Sequence, residues 1–184
     1  MNQNQTYAHE VGGGYLWSPK RKSDGSRNRF YDAMRIVSPG DVIFSFSDTY
    51  IKAFGIANSH CYEFPKPWEF GTVGENWSDI GWRVDVDFRE LHNRAVRPKD
   101  FIGQIRPLLP ERYSPLNSQG NGYQHVYLAE LPEQLTLFLA QLIDRTVLEL
   151  VRGNYTDHRD YEWLSRDRAA EEQIKWERRI EQAL

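Results

Sequence analysis

The chain has 184 residues and a formal net charge of −3, and 40% of its residues are hydrophobic. This composition suits a folded core and excludes a wholly disordered protein. The single cysteine, Cys61, excludes an intrachain disulfide and a cysteine-based zinc site. The N-terminus has no apolar signal region and no apolar run approaches the roughly 18 residues of a membrane helix, so we expect a cytoplasmic protein with no membrane partner.

The first part of the chain predicts short strands and turns behind a polar start. Residues 1–11 are expected to form a flexible leader, and residues 15–17 a first strand. Helical spacing of Phe30, Met34 and Val37 predicts a short helix that ends at the sequence SPGD. Residues 42–46 and 50–57 predict two strands joined by a hairpin turn at SDT.

The middle of the chain predicts a long loop followed by a strand. Residues 59–81 lack a regular pattern, and their many aromatic residues favour a packed, functional loop. Residues 82–88, WRVDVDF, alternate as a half-buried strand does. Because side chains alternate between faces, Trp82 shares a face with Val84 and Val86, whereas Trp77 lies on the preceding turn or on the far face.

The second half of the chain predicts mainly helices. A helix is expected at 97–109, a glycine-rich loop at 113–124, and a last strand or helix entry at 125–131. Leucine and isoleucine residues then recur at helical spacing up to Val151, and the sequence RGN is expected to end that helix. Residues 155–184 are dense in charge, which indicates a solvated helix or a linker. The absence of a capping signal at Leu184 indicates a connection to a further domain.

Motifs of catalysis are not found in the sequence. The five histidines are scattered without the spacing of a zinc site, and no nucleophile elbow, P-loop or dinucleotide fingerprint occurs. His60 adjoins Cys61, but adjacent side chains on a strand point apart, so Cys61 is interpreted as structural. Asp85 and Asp87 share one strand face, which is more often solvated than metal-binding. We expect no enzyme activity, metal or cofactor in this chain.

Aromatic residues beside cations are the main functional signal. Five cations occur within ten residues, a density that can neutralise phosphates, at Lys20, Arg21, Lys22, Arg27 and Arg29. A base taken out of a helix needs ring faces to stack on and polar groups to read its edge. The candidate ring faces are those of Trp17, Tyr31, Phe46, Trp77 and Trp82, and the candidate polar groups are Ser18, Asn28, Ser45 and Asp48. For each tryptophan, core packing remains the alternative to a pocket wall.

The order of several motifs across residues 12–131 resembles that of EVE domains. The matching motifs are Trp17-Ser18 at the end of the first strand, Gly25 to Asn28, Pro39 to Asp41, Gly55 to Ala57, Trp82 to Val86, and Arg112 to Ser114. Trp17 departs from the lysine that EVE domains commonly carry. The element W-S-x-x-x-W, here Trp77, Ser78 and Trp82, is similar to one that contributes two indoles to the aromatic cage of YTH domains.

The resemblance implies an α+β fold, a small mixed β-barrel of the PUA-like type with short flanking helices and a C-terminal helical extension. It implies an EVE domain at 12–131 and, at 132–184, an extension toward an absent HNH nuclease domain, as in bacterial EVE-HNH endonucleases. The implied function is a modified-base reader. It would bind double-stranded DNA containing 5-methylcytosine or 5-hydroxymethylcytosine by flipping the base into an aromatic pocket.

Three other functions remain open from the sequence. A YTH-like reader of methylated adenine or modified RNA uses the same kind of pocket. A small hydrolase on a related ASCH-type barrel would need a proton-transfer group inside it. A protein-interaction module would use the helix at 133–152 as a surface for homodimer formation.

Overall fold

The computed structural model describes residues 1–157 as a mixed α+β fold, in which a curled antiparallel sheet forms a half-barrel. The predicted α+β class is therefore confirmed. The sheet has the order β1-β5-β3-β2, and β4 also pairs with β5. Its strands are β1 (Tyr15–Pro19), β2 (Val42–Ser47), β3 (Tyr50–Ala57), β4 (Tyr62–Pro65) and β5 (Ile80–Glu90).

Within residues 1–157, five α-helices and several 3₁₀ turns surround this sheet. The helices are α1 (Tyr7–Gly13), α2 (Arg29–Asp32), α3 (Ile102–Ile105), α4 (Glu133–Ile143) and α5 (Arg145–Asp157). A 3₁₀ turn, Ala33–Ile36, continues α2, and two others, Pro98–Phe101 and Arg106–Leu108, flank α3. Two more occupy Trp68–Gly74 and His92–Arg94. No helix among residues 1–157 is long and apolar enough to cross a membrane.

Strand β5, which the alternation of residues 82–88 predicts, pairs with three other strands of the sheet. Its first half pairs with β1 and β4, and its second half pairs with β3. Val84 and Val86 are buried, and Trp82 packs against the same core cluster, so the predicted parity is confirmed. The predicted hairpin between β2 and β3 is also confirmed. Asp48 and Thr49 both have positive φ, as a two-residue type I′ turn requires.

The first eleven residues are packed into the fold and do not form the predicted flexible leader. The amide of Gln3 donates to the carbonyl of Phe46 at 2.9 Å, which extends the sheet beyond β2. Gln3 is buried and accepts a hydrogen bond from Ser45, and Glu10 in α1 is fully buried. A polar composition suggested exposure, but the Gln3 side-chain oxygen and the Glu10 carboxylate accept hydrogen bonds inside the fold.

Helices α4 and α5 share a hydrophobic core with the sheet. Leu135, Leu139 and Val147 pack in one cluster with Phe44 and Phe54 of β2 and β3. The expected boundary between 131 and 132 therefore does not separate two cores within residues 1–157.

Asp144 divides the predicted single helix into two. It is extended, and its side chain accepts a hydrogen bond from the amide of Val147 at 2.9 Å, which caps α5. The sequence RGN, expected to end the helix, lies inside α5.

Two other segments differ from prediction. The expected long loop at 59–81 contains β4 and a 3₁₀ turn, and β4 was missed because all four of its residues are exposed. Residues 125–131 form neither a strand nor a helix. The charged segment from residue 158 onward, where a solvated helix and a link to a further domain were predicted, lies outside the described residues.

Candidate functional site

The register between β1 and β5 decides which tryptophans can share a site. Trp17 pairs with Arg83, and Ser18 pairs with Trp82. Residues directly opposite each other on neighbouring strands share a face of the sheet. Ser18 and Trp82 therefore lie on one face, which we call the inner face, and Trp17 lies on the other, the outer face. The predicted pocket with Trp17, Trp77 and Trp82 as common walls is not formed.

Trp17 and Trp77 form an aromatic cluster on the outer face. Trp17 is 1% exposed, and its indole nitrogen donates to the carbonyl of Phe64 at 3.1 Å. Its ring stacks on that of Trp77 at 6.1 Å between centroids, and both rings pack edge-on against Phe70. With its hydrogen bond satisfied and its surface covered, Trp17 is a core residue. Trp77 lies on the turn before β5, one of its two predicted positions, and covers Trp17.

The inner face carries two buried polar atoms without a partner. Neither Ser18 Oγ nor Trp82 Nε1 has a hydrogen-bond partner among residues 1–157, although both atoms are buried. They belong to directly opposed residues of β1 and β5. A buried group left without a hydrogen bond costs about 1–3 kcal/mol, so native structures rarely keep one without a reason. Two on facing residues mark a place where a ligand can supply the missing partners.

Two cations lie over the indole of Trp82. The Lys20 ammonium is 4.5 Å from the ring centroid, and the Arg35 guanidinium carbon is 5.2 Å from it. Lys20 also forms an ion pair with Glu63 of β4. Such cations are attracted to the ring face by the negative charge above the ring. The inner-face site therefore combines an indole, two polar atoms and a positive rim.

Cys61 packs against the same cluster as Trp82. Burial raises the pKa of its thiol to about 12. The thiolate is the reactive form of cysteine, so this thiol is held in its unreactive state near neutral pH. Its placement is consistent with the structural role expected from the sequence.

Helix α2 and the turn that continues it pack over the inner face. Met34 is fully buried in one cluster with Leu16 and Val84. Asn28 caps α2 by accepting a hydrogen bond from the amide of Phe30 at 3.0 Å, and its side-chain nitrogen donates to the carbonyl of His125 at 3.2 Å. Asn28 thereby ties the basic loop to the glycine-rich region that precedes α4.

Tyr31 also lies in α2, and its ring packs edge-on against that of Tyr127 at 6.4 Å. Burial raises the pKa of its hydroxyl. Tyr127 donates a hydrogen bond to Glu10, so Tyr31 connects α2 to the buried polar groups of the half-barrel.

The other three candidate pocket residues lie at the opposite edge of the sheet from β1, in β2 and in the turn that follows it. Ser45 is buried in β2 and donates to Gln3. Phe46 packs in the cluster that contains α4 and α5, and Asp48 lies in the hairpin turn as the ion-pair partner of Lys52. Hydrogen bonding to Lys52 lowers the pKa of Asp48.

The basic loop is partly engaged with the fold. Arg21 and Lys22 are exposed, whereas Arg27 is partly buried and lies 3.3 Å from Asp32 in an ion pair. Arg29 places its guanidinium carbon 3.8 Å from the ring centroid of Tyr113.

Sequence reasoning missed Arg35 and the buried group around Glu10. In the sequence, Arg35 is a cation within the short helix predicted from Phe30, Met34 and Val37. The carboxylate of Glu10 accepts hydrogen bonds from Thr6, Tyr127 and, at 2.8 Å, the amide of Trp17. Burial raises the pKa of Glu10 to about 7 and that of the Tyr127 hydroxyl well above its usual range. Nothing in the polar segment 1–10 signals this burial.

Residues 1–157 contain no group of three or more histidine, cysteine, aspartate or glutamate side chains that could hold a metal ion. The arrangement on the inner face places two cations and two unpartnered polar atoms at one indole, so it offers both charge and hydrogen-bonding groups to a ligand. No model of a known protein family and no curated protein matches this chain.

Proposed function

We propose that this protein reads modified cytosine in DNA, as the specificity module of a modification-dependent restriction endonuclease, with an EVE-type fold of the PUA-like class. The observation that carries the proposal is the pair of unpartnered atoms, Ser18 Oγ and Trp82 Nε1, on the inner face. The half-barrel and the motif order across residues 12–131 support the fold assignment.

The two unpartnered atoms complement the edge of a cytosine. The indole N–H can only donate, and a hydroxyl can donate or accept. Cytosine offers an amino donor beside ring acceptors, so Ser18 accepts from the amino group while Trp82 donates to a ring acceptor. The base must leave the helix to present this edge. These hydrogen bonds select the base, because a pocket with an unpaired polar group rejects ligands that cannot pair with it.

The modification adds a smaller contribution by contact. One methyl group in an apolar pocket contributes about 1–3 kcal/mol. Trp82 supplies apolar ring surface, and Met34 and Cys61 pack in the same cluster. Lys20 and Arg35 hold the phosphates on either side of the base. In this proposal the chain binds and does not cut, and cleavage belongs to a nuclease domain beyond it.

Binding of duplex DNA with a single 5-methylcytosine, compared with the unmodified duplex, tests the proposal. Trp82→Phe keeps one aromatic ring and removes the N–H together with part of the indole surface, and Ser18→Ala removes only the hydroxyl. We expect each variant to bind the modified duplex about 3- to 10-fold more weakly, the usual effect of one lost hydrogen bond. Trp77→Phe, which alters an indole on the outer face, is the matched control and should bind as the wild type does.

Equal binding of modified and unmodified DNA by the wild-type chain would refute the proposal. Tighter binding of an RNA that carries methylated adenine would favour the YTH-like alternative.

A further inference from the structure

A second aromatic surface lies at the opposite end of the α2 segment from Arg35. Arg29 covers the ring of Tyr113, whose edge packs against Phe30 at 6.4 Å between centroids. Phe30 in turn contacts the ring of His125 at 5.6 Å, and His125 contacts that of Tyr123 at 5.4 Å. We call these five residues the Tyr113 platform. It joins the basic loop to the glycine-rich loop.

The platform presents ring surface and charge to solvent. Tyr113 is 52% exposed and Tyr123 is 38% exposed, whereas Phe30 beneath them is 8% exposed. Arg29 has no carboxylate partner within residues 1–157, so the ring is its main contact there. A guanidinium lying on a tyrosine extends the flat surface and keeps N–H donors at its rim.

The backbone holds Tyr113 in an unfavourable conformation. Its φ is +60°, in the left-handed region that bulky side chains rarely adopt. Such outliers persist where the surrounding structure imposes them, and they cluster at functional sites. Here the outlier places a large ring, rather than a glycine, at the tip of a loop.

The segment formed by α2 and the 3₁₀ turn that continues it connects the Tyr113 platform to the inner-face site. Arg29 and Arg35 are six residues apart, about 9–12 Å along a helical axis at about 1.5–2.0 Å per residue. Arg35 lies over Trp82 and Arg29 over Tyr113. One short segment therefore carries the two arginines that cover the rings of Trp82 and Tyr113.

We propose that the Tyr113 platform binds an unpaired nucleotide that flanks the base held at Trp82. The base of that nucleotide stacks on Tyr113, and its phosphate meets Arg29, since aromatic rings and guanidinium planes are the usual supports for unstacked bases. Charge complementarity selects this occupant, because the neighbouring loop residues Arg21 and Lys22 are exposed cations. The inference rests on the proposed function and adds that the recognised DNA is locally unpaired beyond the target base.

Tyr113→Gly is the sharpest test, because glycine adopts positive φ without strain while the variant loses the whole tyrosine side chain. We expect it to bind modified duplex, unmodified duplex and single-stranded DNA of the same sequence about 5- to 10-fold more weakly, at the lower end of base-stacking effects. Tyr113→Phe should restore wild-type affinity. Arg29→Ala should lower affinity and reduce the salt dependence of binding by about one phosphate contact.

Tyr50→Ala is the matched control, since Tyr50 is 38% exposed and lies 5.7 Å from the Arg97 guanidinium, away from the basic loop. If Tyr113→Gly binds all three DNAs as tightly as the wild type does, the Tyr113 platform does not bind a nucleotide. This conclusion holds whether or not the wild-type chain prefers modified DNA. If the wild-type chain shows no such preference but Tyr113→Gly still loses affinity, the proposed function fails and the platform stands as a nucleic-acid surface.

Discussion

The buried carboxyl group of Glu10 makes a specific prediction for the stability of the fold. Glu10 is fully buried in α1, and burial raises its pKa from 4.5 to about 7. Hydrogen bonds from Thr6, Tyr127 and the amide of Trp17 oppose this rise but do not cancel it. The folded chain thus keeps a proton on Glu10 at pH values where the unfolded chain has lost it.

The sign and size of the effect follow from linkage. Between pH 4.5 and about pH 7 the folded state binds more protons at Glu10 than the unfolded state, so the contribution of Glu10 to stability falls as pH rises. At about 1.36 kcal/mol per pH unit, the interval from 4.5 to about 7 corresponds to a penalty of about 3 kcal/mol. The penalty is small near pH 4.5 and complete above pH 7.

The Glu10→Gln variant removes this titration and retains a side-chain oxygen that can accept from the Trp17 amide. We expect the free energy of unfolding of the wild type, relative to the variant, to fall by about 2–3 kcal/mol between pH 5 and pH 8. Urea denaturation at several pH values measures it. Glu111→Gln, at an exposed position, is the control and should retain the wild-type pH dependence. Parallel pH profiles of wild type and Glu10→Gln would refute the reasoning.

Three further predictions concern the β1–β5 region and its loop, each measured by denaturant unfolding. Trp17→Phe should destabilise by about 1–3 kcal/mol, because the hydrogen bond to Phe64 is lost and a cavity forms; an unchanged midpoint would contradict its core role. Asn28→Ala should cost about 1–2 kcal/mol through loss of the helix cap, and a neutral effect would show that the cap is dispensable. Gly81→Ala should destabilise by at least about 1–3 kcal/mol, because its Cβ would lie 2.4 Å from a ring atom of Trp17, whereas Gly103→Ala meets nothing within 4 Å and should not destabilise. Equal effects of the two glycine substitutions would contradict this argument.

Local patterns predicted β5 and the β2–β3 hairpin, but they missed β4 and misjudged the N-terminal segment. Strand β5 and the β2–β3 hairpin follow from alternation and turn chemistry, which act over a few residues. The burial of Glu10 depends on Thr6 in the same segment and on Tyr127, which lies 117 residues further along the chain. No pattern within residues 1–10 contains that information, so a polar segment was predicted to be exposed.

The candidate site was predictable residue by residue but not as an arrangement. Ser18, Lys20 and Trp82 were all selected from the sequence, and the structure brings them together. Trp17 was selected by the same reasoning, yet it lies on the outer face and is a core residue. Arg35 was overlooked because nothing in the sequence places its turn above Trp82.

The sequence by itself determined the class of fold, the strand carrying Trp82 and the face of that strand on which the indole lies. These properties depend on the two-residue period of a strand, which can be counted along the chain. Only the tertiary structure decided which tryptophans meet, because that depends on the register between β1 and β5. A shift of one residue in that register would change which side chains share a face, and no local pattern specifies it.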